Sequence, residues 1–257
     1  MVRRTVLVTG GGSGIGLATA VAFVRQGLKV VICGRDPARL AEALPHLGPE
    51  ALAVPMDVSD ERTVDAGMAR LADQGIVVDV LVNAAGLIGH NATVDGALTA
   101  ALRANLAVNV TGPALLCERL VPTMTARGWG RVVNVASTAG LAAPPGQLPY
   151  AVSKAALIAL TRSLAVDVAG QGVTVNAVAP GPVLTDDFRR RKGEAGIAAR
   201  GRPIPSGRLT TPEEVAAAIV WLAADPAAQI TGQTVTIDGG EAAAGPYATL
   251  VAAARAV

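Results

Sequence analysis

Thr5-Val-Leu-Val-Thr9-Gly10-Gly11-Gly12-Ser13-Gly14-Ile15-Gly16 begins as a β-branched apolar run and breaks into glycines. The run reads as a buried strand, and the residues after Gly16 read as a helix to Gln26 stopped by Gly27. Gly10, Gly14 and Gly16 fall between the two. A loop so placed turns tightly, lets backbone approach an anion closely, and aims a helix N-terminus at it, as a dinucleotide pyrophosphate requires. The spacing is G-x-x-x-G-x-G, one residue longer than G-x-G-x-x-G. Glycine after a strand can also be only a turn; the strand–loop–helix context favours the phosphate loop.

The same alternation continues outward. Further strands are predicted over residues 29–33, 51–56, 77–82, 131–136, 173–178 and 233–237, with helices between them. Asp36-Pro37 opens one helix, with Asp as cap and Pro in the first turn, and Ser59-Asp60 caps another to about Gln74. A long helical region is expected over 95–127 and another over 150–169. Thr211-Pro-Glu-Glu214 is a capping box for a helix to Ala223. Seven strands alternating with helices imply an α/β protein, a parallel sheet with helices on both faces. Ligands of such sheets bind beyond the carboxyl ends of the strands. Segments 87–95, 141–149 and 201–207 are therefore the expected pocket walls.

Hydrophobic residues make up 51% of the 257 and charged residues 16%, which provides a large core and excludes a disordered chain. A net charge of +2 argues against a dedicated nucleic-acid binder. The two cysteines, Cys33 and Cys117, sit in apolar contexts and read as buried free thiols. Two histidines, His46 and His90, leave little for a zinc site or a His-based triad. The longest uncharged run, 132–153, is broken by Pro144, Pro145 and Pro149 and is not a membrane span. A strand pattern within the first nine residues predicts no signal peptide, so the expected setting is cytoplasmic.

The end of the second strand should meet the adenosine ribose of a dinucleotide. Gly34 and Arg35 stand there instead of a carboxylate. Glycine leaves space, and an arginine can pair with a 2′-phosphate, so NADP(H) is the expected preference. NAD(H) stays open if Asp36 turns inward as the ribose acceptor, although Asp36 is also placed as a helix cap.

Tyr150-Ala-Val-Ser-Lys154 lies at the start of the predicted 150–169 helix. Positions four apart share a face, so Tyr150 and Lys154 point the same way. A phenol with a reference pKa of about 10 is a poor acid or base near neutrality, and a nearby ammonium favours its ionised form. Ser137, at the end of the fifth strand, could donate to a carbonyl oxygen that the tyrosine also reaches. A bare Y-x-x-x-K is more often a surface tyrosine with a helical lysine. The surrounding chain reverses that.

Together these residues resemble the short-chain dehydrogenase/reductase family, over about all of the chain from Thr5 to Gly240. Thr9-Gly10…Gly14-Ile15-Gly16 looks like its cofactor loop, and Asn83-Ala84-Ala85-Gly86 like its N-N-A-G element with Ala84 for the second Asn. Asn109-Val-Thr-Gly112 looks like its helical Asn; Ser137, Tyr150 and Lys154 look like its catalytic set. Pro180-Gly181-Pro-Val183-Leu-Thr185 looks like its nicotinamide-end segment. The resemblance implies a single-domain Rossmann fold over 1–240, with a substrate loop at about 182–208 and a C-terminal extension, 241–257, at a subunit interface or frayed. It implies that Tyr150 exchanges the proton with the substrate oxygen and that Lys154 assists it and binds the nicotinamide ribose. Ser137 would polarise the carbonyl, and Asn109 would hold a proton-relaying water or, alternatively, be a buried helix Asn bonded to backbone. The implied cofactor contacts are Gly10, Gly12, Ser13, Gly14, Ile15, Gly16, Arg35, Asp57, Val58, Asn83, Ala84, Gly86, Tyr150, Lys154, Pro180, Gly181, Val183 and Thr185. Asp57 would bond the adenine or, alternatively, cap the strand end before Ser59. A homotetramer or homodimer is implied.

Within the family the chain looks most like 3-oxoacyl-thioester reductases. Many of those place a basic residue just before the sixth strand for carrier docking, and here that place is Gln171. A free small ketone or secondary alcohol gains from this, and apolar walls at 141–148 and 87–89 agree. The basic stretch 187–192 could attract an acidic carrier or be a solvated helix face. A catalytically silent nucleotide sensor or scaffold stays open as a different class, against the intact Ser, Tyr, Lys and Asn.

Overall fold

The computed structural model describes residues 3–88 and 97–247. Seven parallel strands form one sheet: β1 (Thr5–Thr9), β2 (Lys29–Gly34), β3 (Leu52–Pro55), β4 (Val80–Asn83), β5 (Gly130–Val135), β6 (Val173–Pro180) and β7 (Thr234–Ile237). Their order is β3-β2-β1-β4-β5-β6-β7. The chain steps from β1 outward to β3, then returns to the other side of β1 with β4. Strand order reverses there, and the loops after β1 and β4 part to leave a crevice.

Both faces of the sheet are covered, and the interiors of β1, β2 and β4 are accordingly continuous apolar runs. Val6, Val8, Ile32, Val82 and Val133 pack on one side with Phe23 of α1 (Gly14–Arg25) and with Ile219 and Leu222 of α8 (Pro212–Ala223). Leu7, Val31, Leu81 and Val132 pack on the other. They meet Val64 and Leu71 of α3 (Glu61–Asp73) and Leu116 and Met124 of α5 (Gly112–Ala126).

Predicted caps form as the side chains dictate. Asp36 accepts the N–H groups of Ala38 and Arg39 at the head of α2 (Pro37–Ala43). Thr211 and Glu214 close a reciprocal capping box on α8. Asp60 rather than Ser59 caps α3.

Three boundaries differ from expectation. The long helix expected over 95–127 is α4 (Leu98–Leu106), a π-helical turn (Ala107–Thr111) and α5; its predicted start lies outside the described residues. The strand expected over 77–82 runs Val80–Asn83, because Asp79 takes the Thr5 N–H on its carboxylate and the Arg131 N–H on its carbonyl before the ladder begins. β6 continues to Pro180, whose missing N–H costs nothing at a strand end.

The basic stretch lies in α7 (Asp186–Gly201), where Gly193 at φ 61° interrupts the helix. After β7 a short α9 (Glu241–Ala244) follows, and the tail from 248 onward lies outside the described residues.

Candidate active site

Thr9 sets the crevice. Its Oγ1 accepts the N–H groups of Ala84 and Ala85 at 3.0 and 2.9 Å, pinning the loop after β4 to the loop after β1. Gly10, at φ 65°, lies so close that a Cβ would stand 2.9 Å from the Ala85 Cα. A Cβ on Gly16 would overlap the Gly10 carbonyl oxygen, so α1 can approach the turn only through glycine. Ser13 makes no side-chain cap bond, and no acidic residue occupies the first turn of α1. Gly14 and Ile15 therefore start a helix whose N-terminal charge is not neutralised by the protein.

A cleft of about 420 Å³ runs from this loop in two directions. Gly10, Gly12 and Ser13 form its floor. One end is bounded by Gly34, Arg35, Asp36, Arg39, Asp57 and Val58. Asp36 there is committed to its cap, with Arg39 Nε 3.7 Å from its carboxylate. Asp57 Oδ1 accepts the N–H and hydroxyl of Ser59 at 2.9 and 2.6 Å.

The other end reaches Gly86. A Cβ built there lies 3.7 Å from Lys154 Nζ and 3.6 Å from Asn109 Oδ1. Lys154 and Tyr150 stand on the first turns of α6 (Leu148–Val168). Lys154 is buried, its Nζ donates to the Val135 carbonyl at 2.7 Å, and it stands 5.7 Å from the Tyr150 ring centre. Burial lowers its pKa to about 8.

Ser137 follows β5. Its Oγ accepts the Ala139 N–H at 3.1 Å, and its hydroxyl lies near enough to the Tyr150 phenol to favour the ionised form. Burial raises the phenol's pKa, and the Ser137 hydroxyl opposes that rise. The expected lowering by the ammonium is therefore not the governing influence: Lys154 is spent on Val135, and desolvation acts against both charged forms.

Asn109 occupies the π turn. Its Oδ1 takes the Leu87 N–H at 2.8 Å, and its Nδ2 donates to the Leu87 carbonyl at 3.1 Å and to Ser153 Oγ at 2.9 Å. Its side chain thus fastens the loop after β4. Asn83 is also turned to the interior, with Nδ2 on Asn134 Oδ1 at 2.8 Å.

The segment after β6 lies against the phosphate loop. The Gly181 N–H bonds the Ile237 carbonyl at 3.1 Å, holding the turn after Pro180 against β7. Val183 bridges Thr210. Thr185 caps α7 through the Phe188 N–H, and its methyl stands 3.3 Å from where a Gly14 Cβ would be, closing over the phosphate loop.

A family model described as "Enoyl-(Acyl carrier protein) reductase" matches residues 10–241. A 3-oxoacyl-[acyl-carrier-protein] reductase of Synechocystis sp. is 38% identical over 93% of this chain and 97% of its own. The chain belongs to the short-chain dehydrogenase/reductase family. A cis-4-hydroxycyclohexanecarboxylate dehydrogenase of Sinomonas cyclohexanicum is 39% identical, over 93% of this chain and 96% of its own. The solved structure "ElxO with NADP Bound" superposes with a TM-score of 0.88 at 30% identity, over 94% of this chain and 99% of that one. This short-chain dehydrogenase/reductase is accordingly an NAD(P)-dependent oxidoreductase of CH–OH and keto groups.

The residues fit such a cofactor. The uncapped, acid-free N-terminus of α1 suits a pyrophosphate, and glycines 10, 12 and 86 leave backbone where side chains would intrude. Sequence reading gave no role to Arg39, Asn134 or Ser153, and it placed Thr9 in the cofactor loop without its side-chain bonds to Ala84 and Ala85. Ser153, inside the quoted motif, carried its signal only in lying next to Lys154.

Proposed function

We propose that this short-chain dehydrogenase/reductase uses NADP(H) by preference and reduces a small apolar ketone or 3-oxoacyl-type carbonyl. The carrying observation is the convergence of Ser137, Tyr150 and Lys154 at the Gly86 end of the cleft. A reduced nicotinamide bound there supplies the hydride. Tyr150 Oη gives its proton to the carbonyl oxygen as charge develops on it, and a phenol held protonated by burial is already in the form that reduction needs. The Ser137 hydroxyl, its acceptor side occupied by Ala139, donates to the same oxygen. Lys154 is held by Val135 with its Nζ facing Gly86, where it would bind a nicotinamide ribose. Asn109 fixes the backbone of Leu87 beside it.

The NADP(H) preference rests on Arg35 and Arg39 flanking the space left by Gly34, with Asp36 occupied as a cap. Free substrate is favoured over a carrier-bound one. Gln171 is exposed and bonds the Asp167 carbonyl, and Arg190 and Arg191 pair with Asp187 at 3.7 and 2.8 Å. Apolar Ile88, Leu141 and Leu148 stand exposed within four residues of Gly86, Ser137 and Tyr150. The catalytic unit is residues 1–240, with 182–208 as the substrate loop. The proposed setting is cytoplasmic: both thiols are buried, with pKa values pushed to about 12.

The test is cofactor absorbance at 340 nm with ethyl 3-oxobutanoate, cyclohexanone and an acyl-carrier thioester, each with NADPH and NADH. NADPH should give the larger kcat/KM. Tyr150→Phe should lower kcat by ~100-fold or more with nucleotide affinity unchanged. Parental turnover in that variant, or an NADH preference, overturns the corresponding part.

A further inference from the structure

We propose that Ser153 is a positioning residue, through which the catalytic helix and the loop after β4 are held in one register. The inference rests on the site reading above. Ser153 is fully buried between Tyr150 and Lys154. Its hydroxyl donates to the Tyr150 carbonyl at 2.7 Å and accepts from Asn109 Nδ2 at 2.9 Å. Asn109 holds Leu87 by both its N–H and its carbonyl. One oxygen atom thus completes a chain running from the backbone beside Gly86, through the π turn, into the first turn of α6. Lys154 makes the parallel tie to β5 through Val135. The phenol, the ammonium and the Gly86 backbone are then fixed relative to each other from two directions.

Serine often bonds a carbonyl one helical turn back with no consequence beyond its own helix. Here the second bond gives the consequence. The Nδ2 group of Asn109 has two protons, and the Leu87 carbonyl and Ser153 Oγ accept them. Among the described residues, Asn105 Oδ1, at 3.4 Å, is a further acceptor near it. Without the serine oxygen, a buried N–H keeps only that long contact, and Asn109 is drawn off Leu87. The site then loses geometry while the core keeps its packing, since Ala fills nearly the same volume.

Ser153→Ala and Ser153→Thr test this beside Tyr150→Phe. Turnover is measured with ethyl 3-oxobutanoate and NADPH, nucleotide affinity by NADPH fluorescence, and Leu87 amide protection by hydrogen exchange. Ser153→Ala should exchange the Leu87 amide about tenfold faster and lower kcat about tenfold, the effect of one lost buried hydrogen bond. The Val133 amide of β5 and the substrate KM should be unchanged, and Thr, which keeps the hydroxyl, should restore both readouts. Parental protection of Leu87 in the Ala variant overturns the inference whether or not the ester is turned over. So does an equal loss in Ala and Thr variants accompanied by faster exchange at Val133, which would mean packing alone. If Tyr150→Phe stays active while Ser153→Ala loosens Leu87, the site reading fails and the tie stands.

Discussion

At the scale of single residues, Lys154 shows how the site is set against the fold. Its ammonium is buried, with the Val135 carbonyl at 2.7 Å and, among the described residues, no carboxylate paired with it. Burial brings its pKa from 10.5 to about 8, a cost of roughly 3 kcal/mol while the group is charged. The folded pKa is depressed, so the unfolded chain binds more protons between about pH 8 and 10.5, and stability contributed by this residue rises with pH across that window. Below pH 8 both states are charged, and the penalty is constant. Replacing a poorly compensated buried charge with an apolar chain of similar length removes the penalty and leaves one carbonyl unpaired, which returns about 1–2 kcal/mol. Lys154→Met is therefore expected to melt at or a few degrees above the parent at pH 7, and to lose the parent's gain in stability between pH 8 and 10. Calorimetry across pH checks both, and a large fall in Tm would mean that the ammonium is better solvated than its surroundings indicate. Turnover in the same variant should fall ~100-fold or more. The site thus holds a group that the fold would be more stable without.

At the scale of elements, α2 links a cap to a cofactor choice. Asp36 accepts from Ala38 and Arg39 at 3.0 and 3.3 Å, both on Oδ1, while Oδ2 has Arg39 Nε at 3.7 Å, so the cap and the ion pair compete with a ribose for this carboxylate. Asp36→Ala should cost about 1 kcal/mol of stability, read as a fall in Tm of ~2–4 °C. The kcat/KM with NADH should stay within about twofold if capping is its whole role, since no acceptor is lost; a selective collapse with NADH would assign Asp36 to the ribose. This helix was legible in advance because Asp-Pro states its own start. Strands β1 and β2 were legible for a related reason: covered on both faces, their interiors are written as Val, Leu, Ile and Cys, while β5 and β6 keep enough Val to read as strands despite Asn134 and Asn176. The π turn was not legible. Val108-Asn-Val-Thr-Gly-Pro113 is a run of weak helix formers, but composition does not say that the interruption takes the form of an inserted residue carrying Asn109. The roles of Asn83 and Ser153 were hidden likewise, because whether a small polar side chain faces a ligand or a neighbour depends on elements distant in sequence. The phosphate loop was readable because its glycines are demanded by backbone approach alone.

At the scale of the whole molecule, α6 has two unlike faces. One buries Ser153, Lys154, Leu157, Ile158, Thr161 and Ala165 against the sheet. The other leaves Val152, Ala155, Ala159 and Val166 exposed at spacings of three, four and seven, with exposed Arg162 and Ser163 between the last two and Val166 81% exposed. An exposed apolar row on a helix whose opposite face is already buried fits a further helix. Small residues at 155 and 159 allow close approach of another helix, and a self-complementary stripe is what a two-fold contact needs. We therefore propose that α6 packs against α6 of a second copy within a homodimer or homotetramer. Because the stripe starts two residues from Tyr150 and runs back to back with Ser153 and Lys154, assembly would stiffen the helix that carries the site. Val166→Asp places a charge at the most exposed point of the stripe, three helical turns and more from the chemistry. In an isolated protomer that substitution is on the surface and should shift Tm by little. In an assembly it buries two unpaired carboxylates across the two-fold axis and should dissociate it. Sedimentation of parent and variant at equal concentration decides between these. The expected result is a parent of two or four chains and a variant at a smaller mass, with kcat reduced as α6 loosens. A parent that sediments as a single chain would mean that the stripe has no partner of its own kind.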